Sequence, residues 1–493
     1  MGMKVLILRQ VIILHLPLLD SYSMNVTFET FITIPCQFYL SNVPKLSLKQ
    51  TASRQCKSML LDYFKKRQLE VNIKAITMRL ISLVCLLFIS SEAISFGQLP
   101  DSIFSKLPNV KVGLNPDEHR HACELIETRA FGCQVHYVRT KQDYIIQVHR
   151  IVQANGQPIT HHSRPVILQP GLTGSSTNFI IASDQVPNDL NVIGMNTGFE
   201  LARRGYDVWL SNNRGNLYGM NHTTLSPDSK QFWEWSWDQI SQYDTPAIID
   251  YVRGQTNSSK VAYAGHSQGT AVMFALLSRT KDYDNIVEPY IAISPITRIG
   301  NATTTFRLLI TFMKPLLWLG GGALKENSIK DDITSVACNR PWSQLCQAVF
   351  MSTVGFDCKD LNQVSLSRLG VYMSHQPTST SARNLLHFDQ MFNVGKFAHY
   401  DFGPTGNLKA YGQLSAPEYN LNNITHPAMY VIYGRNDLYI PVESVDRLRA
   451  DLTTAREFYA ISNPKANHID PLIGITSSPD VISMLLKILG QYD

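Results

Sequence analysis

Several patterns are absent from this chain of 493 residues, and each absence excludes a class of site or protein. The eight cysteines include no C-x-x-C pair, so nothing in the sequence favours a metal site. No internal repeat or low-complexity tract is present, as expected of a globular domain. The apolar runs near residues 80–89 and 306–319 are shorter than the ~20 residues that a membrane-spanning helix needs.

Strong charge of one sign is also missing from most of the chain. The formal net charge is +5, but residues 1–93 hold 11 Lys and Arg against 5 Asp and Glu, which leaves 33 against 34 for the remainder. The basic excess therefore belongs to the N-terminal part. Nothing in the charge favours nucleic acid or an anionic membrane as a partner of the rest.

The most informative segment that is present is Gly265-His266-Ser267-Gln268-Gly269. It follows an apolar run at 261–264 and precedes a second one at 270–277, which predicts a strand, a sharp turn and a helix. Glycine on both sides of a serine lets strand and helix approach closely and leaves the hydroxyl accessible. The pattern predicts a nucleophile elbow, with a structural turn as the alternative.

A serine nucleophile needs a histidine base that a carboxylate orients. Asp437 follows an apolar strand candidate at 428–434, and His468 follows another at 457–462 and is the last histidine in the chain. The order Ser, Asp, His is that of α/β-hydrolases. We therefore predict Ser267, Asp437 and His468 as a triad; Asp470 is the nearest alternative acid.

An acyl-transfer site also needs backbone N–H donors for the developing oxyanion. One is expected from Gln268, the residue after the nucleophile. The other is expected from a Gly-rich loop at 170–176, which follows a strand candidate at 165–169. An ordinary Pro-Gly turn is the alternative for that loop.

Several segments along the chain form an ordered set: 112–116, 168–176, 211–216 with Tyr218, 232–237, 243–247, 265–270, 371–375 and 467–470. In these segments the chain, from about residue 112 to the C-terminus, resembles the acid lipases, which include gastric lipase and lysosomal acid lipase. The resemblance implies Ser267, Asp437 and His468 as the triad, and the Leu172 and Gln268 amides as the oxyanion donors. Pro170 stands where the family usually has histidine. Proline lacks an N–H, but the donor would be the amide of Leu172.

The segment 78–93 has the form of a secretory signal: a positive start, an apolar core of ten residues and a small-x-small end. We expect residues 1–77 to be an upstream extension, with a genuine N-terminal module as the alternative. Secretion agrees with four N-glycosylation sequons that lie beyond residue 93, between apolar runs. Their asparagines are Asn221, Asn257, Asn301 and Asn423.

Five cysteines lie beyond residue 93, and in an oxidising compartment some would pair. The resemblance implies a Cys338–Cys346 disulfide, because the family carries a bridge in the matching part of its cap. Cys123 with Cys133 is the second candidate pair, and Cys358 is left free.

The expected fold is an α/β-hydrolase: a doubly wound, mostly parallel sheet with an inserted helical subdomain. Its predicted strands lie near residues 166, 207, 261, 290, 428 and 457, with helices such as 238–253 and 480–489 between and after them. About 130 residues separate two strands near 290 and 428, too many for a loop. We expect a core of 94–299 and 426–493 with a cap or lid at 300–425. The apolar opening of this insertion, 306–322, is either a lid segment facing acyl chains or a buried core helix.

The sequence thus predicts a secreted or lysosomal hydrolase of neutral-lipid esters that needs no cofactor or metal. Its expected partner is lipid at a water interface, without nucleic acid or a transmembrane segment. An esterase of short soluble esters and a non-catalytic lipid-binding protein are the alternatives. The sequence does not distinguish triacylglycerol from sterol ester.

Overall fold

The computed structural model describes residues 115–154, 157–158, 164–304, 368–425 and 428–492, with 306, 307, 310, 311, 314 and 322–324 in addition. The predicted extension 1–77 and signal 78–93 lie outside the described residues. So do Cys338, Cys346 and Cys358. Within the described ranges, no helix has the length and apolar character needed to cross a bilayer.

The strands form one large sheet and one small two-stranded sheet. The strands are β1 Phe131–Arg139, β2 Tyr144–Ala154, β3 Gln157–Pro158, β4 Val166–Gln169, β5 Val208–Leu210, β6 Asn221–His222, β7 Val261–His266, β8 Val287–Ile293, β9 Ala323–Leu324, β10 Thr380–Ser381, β11 Met429–Tyr433 and β12 Glu457–Ala460. Eight strands of the large sheet run in the order β1-β2-β5-β4-β7-β8-β11-β12; β3 and β6 add to β2, and β9 pairs with β10 in the small sheet.

Six neighbouring strands, from β5 through β12, are parallel, whereas β1 and β2 are antiparallel additions at one edge. The chain places β5 on one side of β4 and then β7 on the other. The order of strands therefore reverses at β4. Open α/β sheets place their binding sites at the carboxyl ends of strands beside such a switch point.

Both faces of the sheet are covered. All six residues of β7 and all four of β4 are buried. Ile167 points into one hydrophobic cluster and its neighbour Leu168 into the other, because successive strand residues face opposite sides. This explains why the central strands read as continuous apolar runs rather than as alternating patterns.

Helices connect the strands. The described α-helices are α1 Ala122–Glu127, α2 Thr197–Ala202, α3 Trp237–Gln239, α4 Thr245–Thr256, α5 Gln268–Arg279, α6 Leu369–His375, α7 Ala382–Val394, α8 Gly403–Tyr411, α9 Val442–Asp451, α10 Asp470–Ile473 and α11 Ser477–Leu489. The predicted helix over 238–253 is interrupted by a π-helical turn, Ile240–Asp244. Pro246, which lacks an amide proton, then lies in the first turn of α4.

The six predicted strands correspond to the six parallel strands of the structure. The antiparallel pair β1–β2 was not predicted, although it is the longest pairing in the sheet. Most residues of β1 are half-buried or exposed, and along β2 buried residues mostly alternate with half-buried ones, so the continuous apolar runs used to find the central strands are absent there. Cys123 of α1 and Cys133 of β1 form a disulfide with a Cα–Cα distance of 5.4 Å, which is the second of the two predicted pairings.

Candidate active site

Ser267 lies in a strained turn between β7 and α5. Its backbone has φ 55° and ψ −120°, a region that residues other than glycine rarely adopt. A Cβ at Gly265 would lie 2.6 Å from the carbonyl oxygen of Gly269, and one at Gly269 would lie 2.6 Å from that of Gln169. Only glycine fits at either position, which is the close approach that the sequence predicts.

The serine, histidine and aspartate of the predicted triad come together at the carboxyl edge of the sheet. His468 Nε2 lies 2.8 Å from Ser267 Oγ, and its Nδ1 lies 2.8 Å from Asp437 Oδ2. The three side chains follow β7, β11 and β12, and each residue is at least nine-tenths buried. The arrangement can pass a proton from the serine to the histidine and hold the resulting imidazolium beside a carboxylate.

The loop after β11 holds the carboxylate in place. Asp437 Oδ1 accepts hydrogen bonds from the amides of Tyr439 at 2.9 Å and Ile440 at 3.1 Å, which leaves Oδ2 for the histidine. The Asn436 amide donates to the carbonyl oxygen of Ala466 at 3.0 Å, so this loop is tied to the histidine loop. The loops that carry the acid and the base are therefore hydrogen-bonded to each other.

Asp470, the alternative acid, occupies a different place. Its Oδ2 accepts from the Asn467 amide at 3.0 Å, and its own amide donates to Asn467 Oδ1 at 3.1 Å. Asp470 thereby shapes the first turn of α10, while Asp437 is the carboxylate at His468 Nδ1.

Two rings flank the histidine. Tyr439 stacks on His468 with centroids 4.5 Å apart, and the His266 ring lies 5.2 Å away. Burial lowers the pKa of His266 to about 3, so this ring is neutral near pH 7. Its Nε2 donates to the His468 carbonyl oxygen at 2.8 Å, which fixes its tautomer and adds no competing charge.

The loop after β4 reaches the serine. A Cβ at Gly171 would lie 2.9 Å from that of Ser267, so this loop needs glycine there. Among the described residues, neither the Leu172 nor the Gln268 amide donates to a protein acceptor. Gln268 begins α5, where helix geometry leaves amides unpaired.

Side chains that sequence reasoning missed surround this loop. Asn213 Nδ2 donates to the Gly171 carbonyl oxygen at 3.3 Å, and the Thr378 amide donates to that of Thr173 at 2.8 Å. Asn384 of α7 donates to Gln268 Oε1 at 2.8 Å. The segment 211–216 carries the family resemblance and could have directed attention to Asn213, but isolated residues such as Asn384 carry no local signal.

The predicted glycosylation sites lie at the surface. The four sequon asparagines are exposed, as a glycan would require; they are Asn221, Asn257, Asn301 and Asn423. In the described part of the chain, no three His, Cys, Asp or Glu side chains are grouped so as to hold a metal ion.

Comparison with known proteins gives consistent matches. Residues 164–469 match the family model of the alpha/beta hydrolase fold, and residues 122–183 match the partial alpha/beta-hydrolase lipase region. Gastric triacylglycerol lipase of Bos taurus is 32% identical over 77% of this chain and 94% of its own length. Lipase member K of Homo sapiens is 29% identical over 77% and 92%, and Lipase 1 of Drosophila melanogaster 30% over 75% and 79%.

Proposed function

Because the chain belongs to the acid lipase family of the α/β-hydrolases, we propose that it hydrolyses carboxylic esters of neutral lipids through Ser267, His468 and Asp437. The observation that carries the proposal is the continuous hydrogen-bond chain from Ser267 Oγ through His468 to Asp437. Relatives named as lipases support the lipid substrate.

In the proposed mechanism, His468 Nε2 accepts the Ser267 proton while Oγ attacks the ester carbonyl carbon. The Leu172 and Gln268 amides donate to the oxyanion that forms. His468 then gives the proton to the departing alcohol, which leaves an acyl-serine. Water attacks this ester by the same route, the carboxylic acid leaves, and the serine regains its proton. Asp437 stays ionised and stabilises the imidazolium throughout.

We further propose that residues 300–425 form a cap over this site. The described parts of the insertion already contact the catalytic loops: Asn384 bonds to Gln268, and Thr378 bonds to Thr173. Phe306 lies 5.7 Å from the Tyr439 ring, which in turn stacks on His468. A segment in these positions would control the access of acyl chains to the serine.

The direct test is covalent labelling. A serine-directed phosphonate should modify the wild-type protein at Ser267, and Ser267→Ala should abolish both labelling and ester hydrolysis while the protein stays folded. Labelling at another residue, or no labelling of folded protein, would contradict the hydrolase proposal and favour a non-catalytic lipid-binding role.

Substrate class is tested separately, with esters of increasing chain length measured in solution and as emulsions. A neutral-lipid hydrolase should prefer long chains at an interface. Preference for short soluble esters would instead favour an ordinary esterase. The same series with sterol esters distinguishes the two classes of neutral lipid.

We propose that the protein enters the secretory pathway. The Cys123–Cys133 disulfide and the exposed sequon asparagines support an oxidising, glycosylating compartment. Secreted material should begin near Ile94, and N-terminal sequencing checks this. A start near Met24 would show that the upstream segment belongs to the protein.

A further inference from the structure

The two proposed oxyanion donors belong to two peptide groups, Gly171–Leu172 and Ser267–Gln268. In a trans peptide the C=O and N–H groups lie in one plane and point in opposite directions. Whatever holds the carbonyl oxygen of residue 171 or 267 therefore aims the amide of residue 172 or 268. Both carbonyl oxygens are held by buried side chains.

At the first peptide, the Gly171 carbonyl oxygen accepts from Asn213 Nδ2 at 3.3 Å and from the Gly174 amide at 3.2 Å. Asn213 is itself fixed, because its Oδ1 accepts from Gln169 Nε2 at 2.7 Å. Gln169 is the last residue of β4, so the Asn213 side chain links the Gly171–Leu172 peptide to the end of this strand.

At the second peptide, the Ser267 carbonyl oxygen accepts from Thr270 Oγ1 at 2.6 Å and from the Thr270 amide at 2.8 Å. The Thr270 hydroxyl in turn accepts from the Ile296 amide at 2.8 Å, beyond the end of β8. A carbonyl that accepts hydrogen bonds also makes the N–H of the same peptide a stronger donor, because hydrogen-bonded chains polarise one another.

We propose that Asn213 and Thr270 are positioning residues of the oxyanion hole, which aim and polarise the Leu172 and Gln268 amides through the carbonyl ends of their peptides. Neither side chain needs to touch substrate. This inference rests on the proposed ester hydrolysis, and it assigns roles that the triad does not include.

The test compares a short soluble ester with its thiono analogue, in which sulfur replaces the carbonyl oxygen. The thiolate-like sulfur of the thiono intermediate is large and a poor acceptor, so it gains little from the hole. Asn213→Asp and Thr270→Val each remove the side-chain donor to the carbonyl oxygen and leave the backbone donor in place. Each should lower kcat for the ester about tenfold with little change in KM, and should lower the ester-to-thionoester rate ratio by a similar factor.

Matched controls are available in the same elements. Asn216 lies on the same loop as Asn213, but its Nδ2 donates to the Gly174 carbonyl oxygen at 3.1 Å and its Oδ1 accepts from Tyr218. Asn216→Asp therefore makes the same chemical change at a peptide that does not carry an oxyanion donor. Thr270→Ser keeps the hydroxyl. Both controls should retain the wild-type rate ratio, whatever they do to thermal stability.

An unchanged ratio in folded Asn213→Asp and Thr270→Val would overturn the proposal, as would an equal fall in Asn216→Asp. If Asn213→Asp fails to fold, the Thr270 pair decides. A wild-type protein that neither hydrolyses ester nor reacts with phosphonate would overturn the proposed function itself, an outcome distinct from an active enzyme with unaltered variants.

Discussion

At the scale of single residues, the site is made by backbone contacts as much as by the reacting side chains. Asp437 keeps one oxygen for His468 because two amides occupy the other. Such a carboxylate holds the ring in the tautomer that the mechanism needs, without taking the proton itself.

Asp437→Asn should therefore preserve the fold and lower kcat by about 10⁴. The reason is that an amide can donate to Nδ1 and so favours the wrong tautomer of His468. Steady-state kinetics on a soluble ester and circular dichroism make the measurement. Asp470→Asn is the matched control, since the Asp470 carboxylate bonds the Asn467 amide instead of His468. A large loss of kcat in Asp470→Asn with almost none in Asp437→Asn would show that Asp470 is the catalytic acid.

Sequence reasoning reaches the reacting residues but not their supports, for a physical reason. Ser267, Asp437 and His468 each follow an apolar strand, so local patterns mark them. Asn213 and Asn384 act over sequence separations of 42 and 116 residues, which only the folded chain brings together.

At the scale of elements, the opening of the insertion is less uniform than its sequence indicates. Arg307 and Lys314 bond to Asn393 and Asp389 of α7, so one polar stripe faces that helix. Ile310, between them, is buried. Among the described residues of this segment, Arg307 and Lys314 therefore bond to α7, and Ile310 is a packed apolar contact.

Charges at Leu316 and Leu317 should depress hydrolysis of emulsified long-chain esters far more than that of a short soluble ester. The reason is that we expect these two positions to control the access of lipid to the site, whereas neither belongs to the triad. Lys314→Met is the control, because it removes the contact to Asp389 and should affect both substrates alike. Equal losses for both substrates with charged Leu316 and Leu317 would support the buried-core interpretation.

The parallel strands were predictable because burial on both faces makes them continuously apolar. The edge pair β1–β2 and the π-helical turn before α4 were not predictable. The burial of an edge strand and the position of Pro246 within a helix both depend on which residues pack beside them.

At the scale of the whole molecule, burial of several histidines links folding to pH. Burial lowers the pKa of His149 and His375 to about 4 and that of His266 to about 3, and it also lowers the pKa of His387. Each ring takes up a proton on unfolding at pH values between its folded pKa and about 6.5. Stability should therefore be level above pH 6.5 and fall as the pH drops from there towards 4.

His149→Gln should reduce the slope of the unfolding free energy against pH by about 1.4 kcal/mol per pH unit, which is the contribution of one proton. His149 is buried on β2, away from the triad, so the change leaves the chemistry in place. Urea unfolding at a series of pH values measures the slope. His119→Gln, at an exposed histidine, should leave the slope as in the wild type. A slope unaltered in His149→Gln would refute the assignment.

The backbone of Ser267 has one more implication. Its φ of 55° is sustained by contacts from distant parts of the chain: its amide donates to Ile293, and Gly171 packs on its Cβ. A partly folded chain that lacks these contacts would relax the turn and lose the reactive geometry. Covalent titration of this serine should therefore count correctly folded molecules rather than total polypeptide. The fraction of molecules labelled at Ser267 would then measure the folded fraction of a preparation.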